Sequence, residues 1–61
     1  MKQHDVLLKK NGILQWVCGL YNDDVNDAIA CAVREMAPAT YVSHKSFKIM
    51  GGQWVAINEG L

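Results

Sequence analysis

Residues 22–38 have the apolar spacing of an amphipathic helix. The apolar positions recur every three or four residues and are Val25, Ala28, Ile29, Ala32, Val33 and Met36. On a helix of about 3.6 residues per turn this spacing forms one continuous stripe. Asn22, Asp23 and Asp24 are residue types that accept hydrogen bonds from the first turn of a helix, and Pro38 cannot continue one. The pattern therefore predicts a helix over residues 23–37.

Two shorter apolar runs precede this helix, and Asn11-Gly12 joins them. Asn-Gly between apolar runs favours a type I′ turn, because both central residues of that turn need positive φ. The signal predicts strands over residues 5–10 and 13–20, with Lys10 opposite Ile13. After the helix, Gly51-Gly52 is a second turn candidate and predicts strands over residues 40–50 and 53–58, with Met50 opposite Gln53.

The order of these elements, β-β-α-β-β, predicts an α+β fold. We expect an antiparallel four-stranded sheet with one helix packed on one face, in a single compact domain of residues 1–61. A right-handed crossover through the helix gives the strand order 2-1-3-4. The order 1-2-4-3, in which the two hairpins meet through strands 2 and 4, remains open.

Side chains alternate between the two faces of a strand, and here both faces are apolar. The bulkier set is the natural core and is Leu14, Trp16, Leu20, Phe47, Ile49 and Trp54. The far side then carries Val6, Leu8, Ile13, Val17, Met50, Val55 and Ile57. Clustered aliphatic residues on an exposed face mark interaction surfaces, so we predict that this second set binds a partner. The alternative is that strands favour β-branched residues even where they are exposed.

Composition supports the idea of a partner. A chain of 61 residues forms one domain and buries only about 60% of its unfolded surface. Hydrophobic residues nevertheless make up 51% of the sequence, more than one sheet face can bury. We therefore predict a non-enzymatic protein–protein interaction module that docks through an apolar sheet face or edge. The partner is a second copy in a homodimer, a larger protein, or both. The chain would act as a regulator or inhibitor of the kind that phages and mobile elements encode.

The alternative function is nucleic-acid binding. Basic and aromatic side chains are interleaved on the third strand and flank the first turn; they are Lys9, Lys10, His44, Lys45, Phe47 and Lys48. Sheets that bind nucleic acid present stacking aromatics flanked by cations. The formal net charge of zero supplies no overall field toward a polyanion, so this function ranks second.

Catalytic and metal chemistry find little support in the sequence. His4, Cys18, Cys31 and His44 include no pair at the close spacing typical of zinc sites. A Cys–His dyad is conceivable, but no third activating group accompanies it. We therefore expect no metal, no cofactor and no enzymatic activity.

The two cysteines do not form a disulfide framework. The sequence has neither an apolar run of about 20 residues nor the basic and apolar regions of a signal peptide. These features predict a cytoplasmic protein that does not associate with a membrane. The initial Met1 and the lack of a linker predict a complete small gene product.

Overall fold

The computed structural model describes residues 2–57. Its elements are β1 (Lys2–Lys10), β2 (Ile13–Tyr21), α1 (Val25–Glu35), β3 (Thr40–Met50) and β4 (Gln53–Ile57). The predicted α+β class and the order β-β-α-β-β are confirmed. β1 begins at Lys2, three residues before the predicted start. Asn58, the predicted end of the fourth strand, lies outside the described residues.

The four strands form one antiparallel sheet in the order β2-β1-β3-β4. The order expected from a right-handed crossover is therefore correct, and the alternative is wrong. Both predicted turn registers are present, with Lys10 opposite Ile13 and Met50 opposite Gln53. Asn11 at φ 52° and Gly12 at φ 78° supply the two positive φ angles of a type I′ turn.

Two β-bulges interrupt the alternation of side chains. In β2, His4 faces Leu20 while Val6 faces Val17, so two residues of β2 lie opposite Asp5. Gly19 takes φ 74° there, and its N–H donates to Asp5 Oδ1 at 3.1 Å. In β3, Leu7 faces Ser43 while Leu8 faces Tyr41, which leaves Val42 as the extra residue. Beyond each bulge the side chains change faces relative to an unbroken strand.

Helix α1 is shorter than predicted at both ends. Its N-cap is Asp24, whose Oδ1 accepts from the N–H of Asn26 at 2.9 Å. The N–H of Asp24 in turn donates to Oδ1 of Asn22 at 2.9 Å. At the other end the N–H of Met36 donates to the carbonyl of Ala32 at 3.0 Å. The acidic run before the helix thus forms the entry turn, not its first helical residues.

The face assignment of the sheet is the reverse of the predicted one. Val6 and Leu8, predicted to lie on the far side, are 0% exposed and form a core cluster with Ala32 of the helix. Half-buried side chains pack against this cluster and are Val17, Leu20, Ile29, Val33, Met36 and Ala39. The predicted core residues Leu14, Trp16, Ile49 and Trp54 are exposed. Leu20 does belong to the core, because the β2 bulge changes its face.

The charged residues of β1 explain the reversal. Asp5 and Lys9 alternate with Val6 and Leu8 along this central strand. Burying Val6 and Leu8 keeps the carboxylate and the ammonium group in contact with water. The opposite choice would have buried the carboxylate of Asp5, in the middle of this central strand, which is costly without a paired charge. The lysines on the core-face side, Lys2 and Lys10, lie at the two ends of β1. We call the side of Val6 and Leu8 the core face, and the other side the open face.

No helix in the described part of the chain is both long enough and apolar enough to cross a lipid bilayer.

Candidate interaction surface

The open face carries five large, exposed hydrophobic side chains from three strands. They are Leu14, Trp16, Tyr21, Ile49 and Trp54. The strand registers place them on one side: Leu14 is opposite Lys9, Trp16 opposite Leu7, Tyr21 opposite Gln3, and Ile49 opposite Trp54. Their exposed fractions lie between 40% and 61%. The half-buried Leu7 and Phe47 lie between them on the central strands.

An aromatic pair connects the two edge strands across this face. Tyr21 of β2 and Trp54 of β4 have ring centroids 6.0 Å apart, at an interplanar angle of 45°. Such tilted pairs are favourable beyond the area that they bury. Because β1 and β3 lie between these strands, the two side chains meet over both central strands. This end of the face therefore has a defined shape.

A buried histidine anchors the chain at Asn22, the residue after Tyr21. His4 is completely buried, and its Nε2 donates to the carbonyl of Asn22 at 2.7 Å. In the neutral imidazole, Nδ1 then accepts from the Ser46 hydroxyl, also at 2.7 Å. The N–H of Asn22 donates to the carbonyl of Lys2 at 3.1 Å. These contacts tie the chain just after Tyr21 to both central strands.

Charged groups of both signs lie on the open face. Lys45 places its Nζ 5.3 Å from the ring centroid of Trp16, which is within cation–π range. Its register partner on β1 is Asp5, which accepts from Gly19. Lys9 lies further along the same side of β1. The face is thus an apolar and aromatic surface with two basic groups and one acidic group.

The predicted partner-binding residues are divided by the structure. Val6 and Leu8 are completely buried, and the half-buried Val17 packs against them. Another three are exposed on the core-face side of the sheet and are Ile13, Met50 and Val55. Ile57 is half-buried. A partner-binding role for any of these residues stays a prediction, and they do not form the largest exposed apolar surface.

The predicted nucleic-acid set is also divided. Lys9, Lys45 and Phe47 lie on the open face, as their partners in β1 and β2 show. Lys10, His44 and Lys48 lie on the core-face side by the same registers. His44 Nδ1 is 2.7 Å from the hydroxyl of Tyr41. The six residues therefore do not form one surface.

The residues considered for metal binding lie in separate environments. Cys18 is exposed in β2 and Cys31 is half-buried in α1, and both are free thiols. His4 contacts Ser46 and Asn22. Within residues 2–57 no group of three His, Cys, Asp or Glu side chains could hold a metal ion.

One signal in the sequence could have identified the open face. In β1, Gln3, Asp5 and Lys9 alternate with Val6 and Leu8, although His4 falls with the aliphatic set and Leu7 with the polar one. In a central strand the polar set marks the solvent side. The predicted core follows instead from the bulky residues on β2, β3 and β4.

No protein-family model matches this chain, and neither a curated protein nor a solved structure is similar enough to match it.

Proposed function

We propose that this chain is a non-enzymatic protein–protein interaction module whose docking surface is the open face. The observation that carries the proposal is the group of five exposed side chains on this face. At about 200 Å² for a full side chain of this size, their exposed fractions leave roughly 500 Å² uncovered. Asp5 and Lys45 lie between Leu14 and Trp16 at one end and Tyr21, Ile49 and Trp54 at the other, so this area is the sum of two neighbouring apolar groups. The total is comparable with the largest apolar patch on a typical monomer, about 300–600 Å².

The chemistry of the face favours a protein as the occupant. Trp and Tyr are enriched among the residues that contribute most to protein–protein binding, whereas Lys is depleted from interfaces. Trp16, Tyr21 and Trp54 supply the aromatic anchors, and Lys45 is already held against Trp16. A module of this size that covers a site on a larger protein would act as its regulator or inhibitor.

The chain offers a matched pair of substitutions that tests the face. Ile49 and Met50 are neighbours on β3 with exposed fractions of 55% and 54%, but their side chains lie on opposite faces. We expect Ile49→Lys to abolish capture of partner proteins from a cell extract, because a charge would enter the docking surface. Met50→Lys should capture the same proteins as the wild type. Equal capture by both variants would contradict the proposal.

A second candidate function is binding of single-stranded nucleic acid, and one observation favours it. Five of the six Lys and Arg residues lie on β1 and β3, against one of the six Asp and Glu residues. The net charge of zero therefore conceals a basic sheet. Tryptophans on the open face could stack on bases. Only Lys9 and Lys45 lie on that face, however, which is few cations for a polyanion.

Intrinsic fluorescence separates the two functions, because both tryptophans of the chain lie on the open face. If oligothymidine stacks there, it should quench the emission at low salt, and the affinity should fall steeply as salt is added. Lys9→Glu should then weaken binding more than Lys10→Glu on the other side. Unchanged emission and anisotropy at low salt would remove nucleic acid from consideration.

A further inference from the structure

The core of the described chain is small. Its fully or almost fully buried hydrophobic residues are Val6, Leu8, Ala28 and Ala32, and two of these are alanines. The largest completely buried side chains are Leu8, His4 and Val6. Below about 70–80 residues a single core rarely supplies more than about 3–5 kcal/mol, and disulfides, metals or association with another chain then add stability. Both thiols are free, so they contribute no crosslink.

The apolar surface missing from the core lies on the open face. Its roughly 500 Å² of exposed side chain, together with the flanking polar groups, approaches the surface of about 800 Å² that each partner buries in a standard interface. Covering it would add a second apolar layer, on the side of the sheet opposite the core cluster of Val6, Leu8 and Ala32. If the stability of the domain depends on this second layer, the open face must be covered whenever the domain is folded.

We propose that in the free protein a second copy of this chain covers the open face, so that two sheets pack face to face in a symmetric homodimer. A second copy is the one occupant that is always present when the chain is made. This inference rests on the proposed function, since both assign the same face to protein contacts. A larger protein partner would then compete with the second copy.

The open face is suited to self-association. In a twofold interface the same surface meets itself, so a face with charges of one sign would be repelled. Asp5 and Lys45 are register partners on the two central strands, so the middle of the face carries one charge of each sign, and Asp5 of one copy can meet Lys45 of the other. Two such sheets would pack about 10 Å apart.

The first test uses the unchanged protein across a wide range of concentration. For a homodimer, the mass from light scattering should change from one chain to two as the concentration rises, and the melting temperature should rise with it. The tryptophan emission should shift to shorter wavelength over the same range, because Trp16 and Trp54 would both leave water. A single-chain mass with constant emission at every concentration would overturn the inference.

The second test uses two matched pairs of variants. Ile13 and Leu14 are adjacent on β2 with exposed fractions of 60% and 58%, and they lie on opposite faces; Ile49 and Met50 form the same kind of pair on β3. Leu14→Lys and Ile49→Lys should each raise the dimer dissociation constant on the order of a hundredfold or more. Because the interface is symmetric, each substitution would bury two ammonium groups, one from each copy. Ile13→Lys and Met50→Lys should remain dimeric. Dissociation of the control variants alone would place the dimer on the other side of the sheet and overturn the inference.

The outcome can be separated from that of the proposed function. A monomeric wild type whose capture of a larger protein is lost in Ile49→Lys but kept in Met50→Lys would overturn the homodimer and leave the docking function intact. A dimer that only the open-face variants disrupt, with no difference in capture between the variants, would support the homodimer and contradict docking to a larger protein. If a lysine variant does not fold, the concentration series on the wild type decides the question.

Discussion

His4 has the most constrained polar environment among the residues described. Its ring is completely buried, and both nitrogens lie 2.7 Å from oxygen partners, one on β3 and one in the segment between β2 and α1. A buried polar group that loses its partner costs more than the hydrogen bond itself contributes, because its desolvation is no longer compensated. His4 therefore makes the edge of the open face depend on Ser46, far away in sequence.

We predict that Ser46→Ala lowers the free energy of unfolding by about 1–3 kcal/mol, because it leaves His4 Nδ1 buried without a donor. Urea unfolding measures the change. Ser43→Ala, at an exposed position on the same strand, should have little effect and serves as the control.

The double variant His4→Leu with Ser46→Ala tests the mechanism. It should be less destabilised than the two single changes added together, because no orphaned ring nitrogen remains. Strict additivity would show that the two side chains do not act as a pair.

The backbone conformation of Gly19 determines which face of the sheet the residues after it occupy. Its φ of 74° lies in the left-handed region, where side chains are disfavoured. A Cβ built at this position meets no atom within 4 Å, so substitution is opposed by backbone strain and not by crowding. The bulge that Gly19 allows is what turns Leu20 toward the core.

We expect Gly19→Ala to destabilise the protein by about 1–2 kcal/mol through this strain. Gly19→Asn should be milder, since Asn enters the left-handed region more readily. The comparison is made by urea unfolding of the three proteins. An alanine variant as stable as the wild type would show that the bulge does not need the positive φ.

At the scale of elements, hydrogen bonds from capping side chains determine where helix α1 begins. The N–H of Asp24 donates to Asn22, and the N–H of Asn26 donates to Asp24, each at 2.9 Å. Asp27 adds a carboxylate in the first turn, where it interacts favourably with the helix dipole. The buried residues of the helix are Ala28 and Ala32.

We predict that Asp24→Ala lowers the free energy of unfolding by about 1 kcal/mol, because the N–H of Asn26 loses its acceptor. Asp24→Asn keeps an acceptor oxygen and should be close to the wild type, which separates capping from charge. Denaturant unfolding followed by far-UV circular dichroism measures both variants. Equal losses for both would assign the effect to the negative charge.

At the scale of the whole molecule, the fold has a protected centre and weakly covered edges. β1 contains the completely buried His4, Val6 and Leu8 and is paired on both sides. β4 pairs only with β3 among the described strands and is exposed along most of its length. Local opening is easiest where few apolar contacts hold an element.

Amide hydrogen exchange should therefore be slowest at paired positions of β1 and fastest among the strands in β4. We expect protection factors that differ by at least an order of magnitude between the two, since exchange in β4 needs only local opening. Exchange measured by NMR on the wild type at low concentration tests this. Uniform protection across all four strands would indicate that the sheet opens as a single unit.

The local signals of the sequence determined the elements, their order and the hairpin registers. These local signals are Asn11-Gly12, Gly51-Gly52 and the spacing of apolar residues through α1, and each acts over a few residues. Chain connectivity and the right-handed crossover then determine the strand order. These features depend on backbone geometry that each short segment carries by itself.

Only the tertiary structure decided which face of the sheet is buried, and with it the candidate site. Both faces are apolar, so local pattern alone left the assignment ambiguous. It depends on where the charges of β1 can remain hydrated and on two bulges that change the facing of Leu20 and Tyr41. The contacts of His4 with Ser46 and of Tyr21 with Trp54 join distant segments, and such contacts exist only once the strands have been brought together.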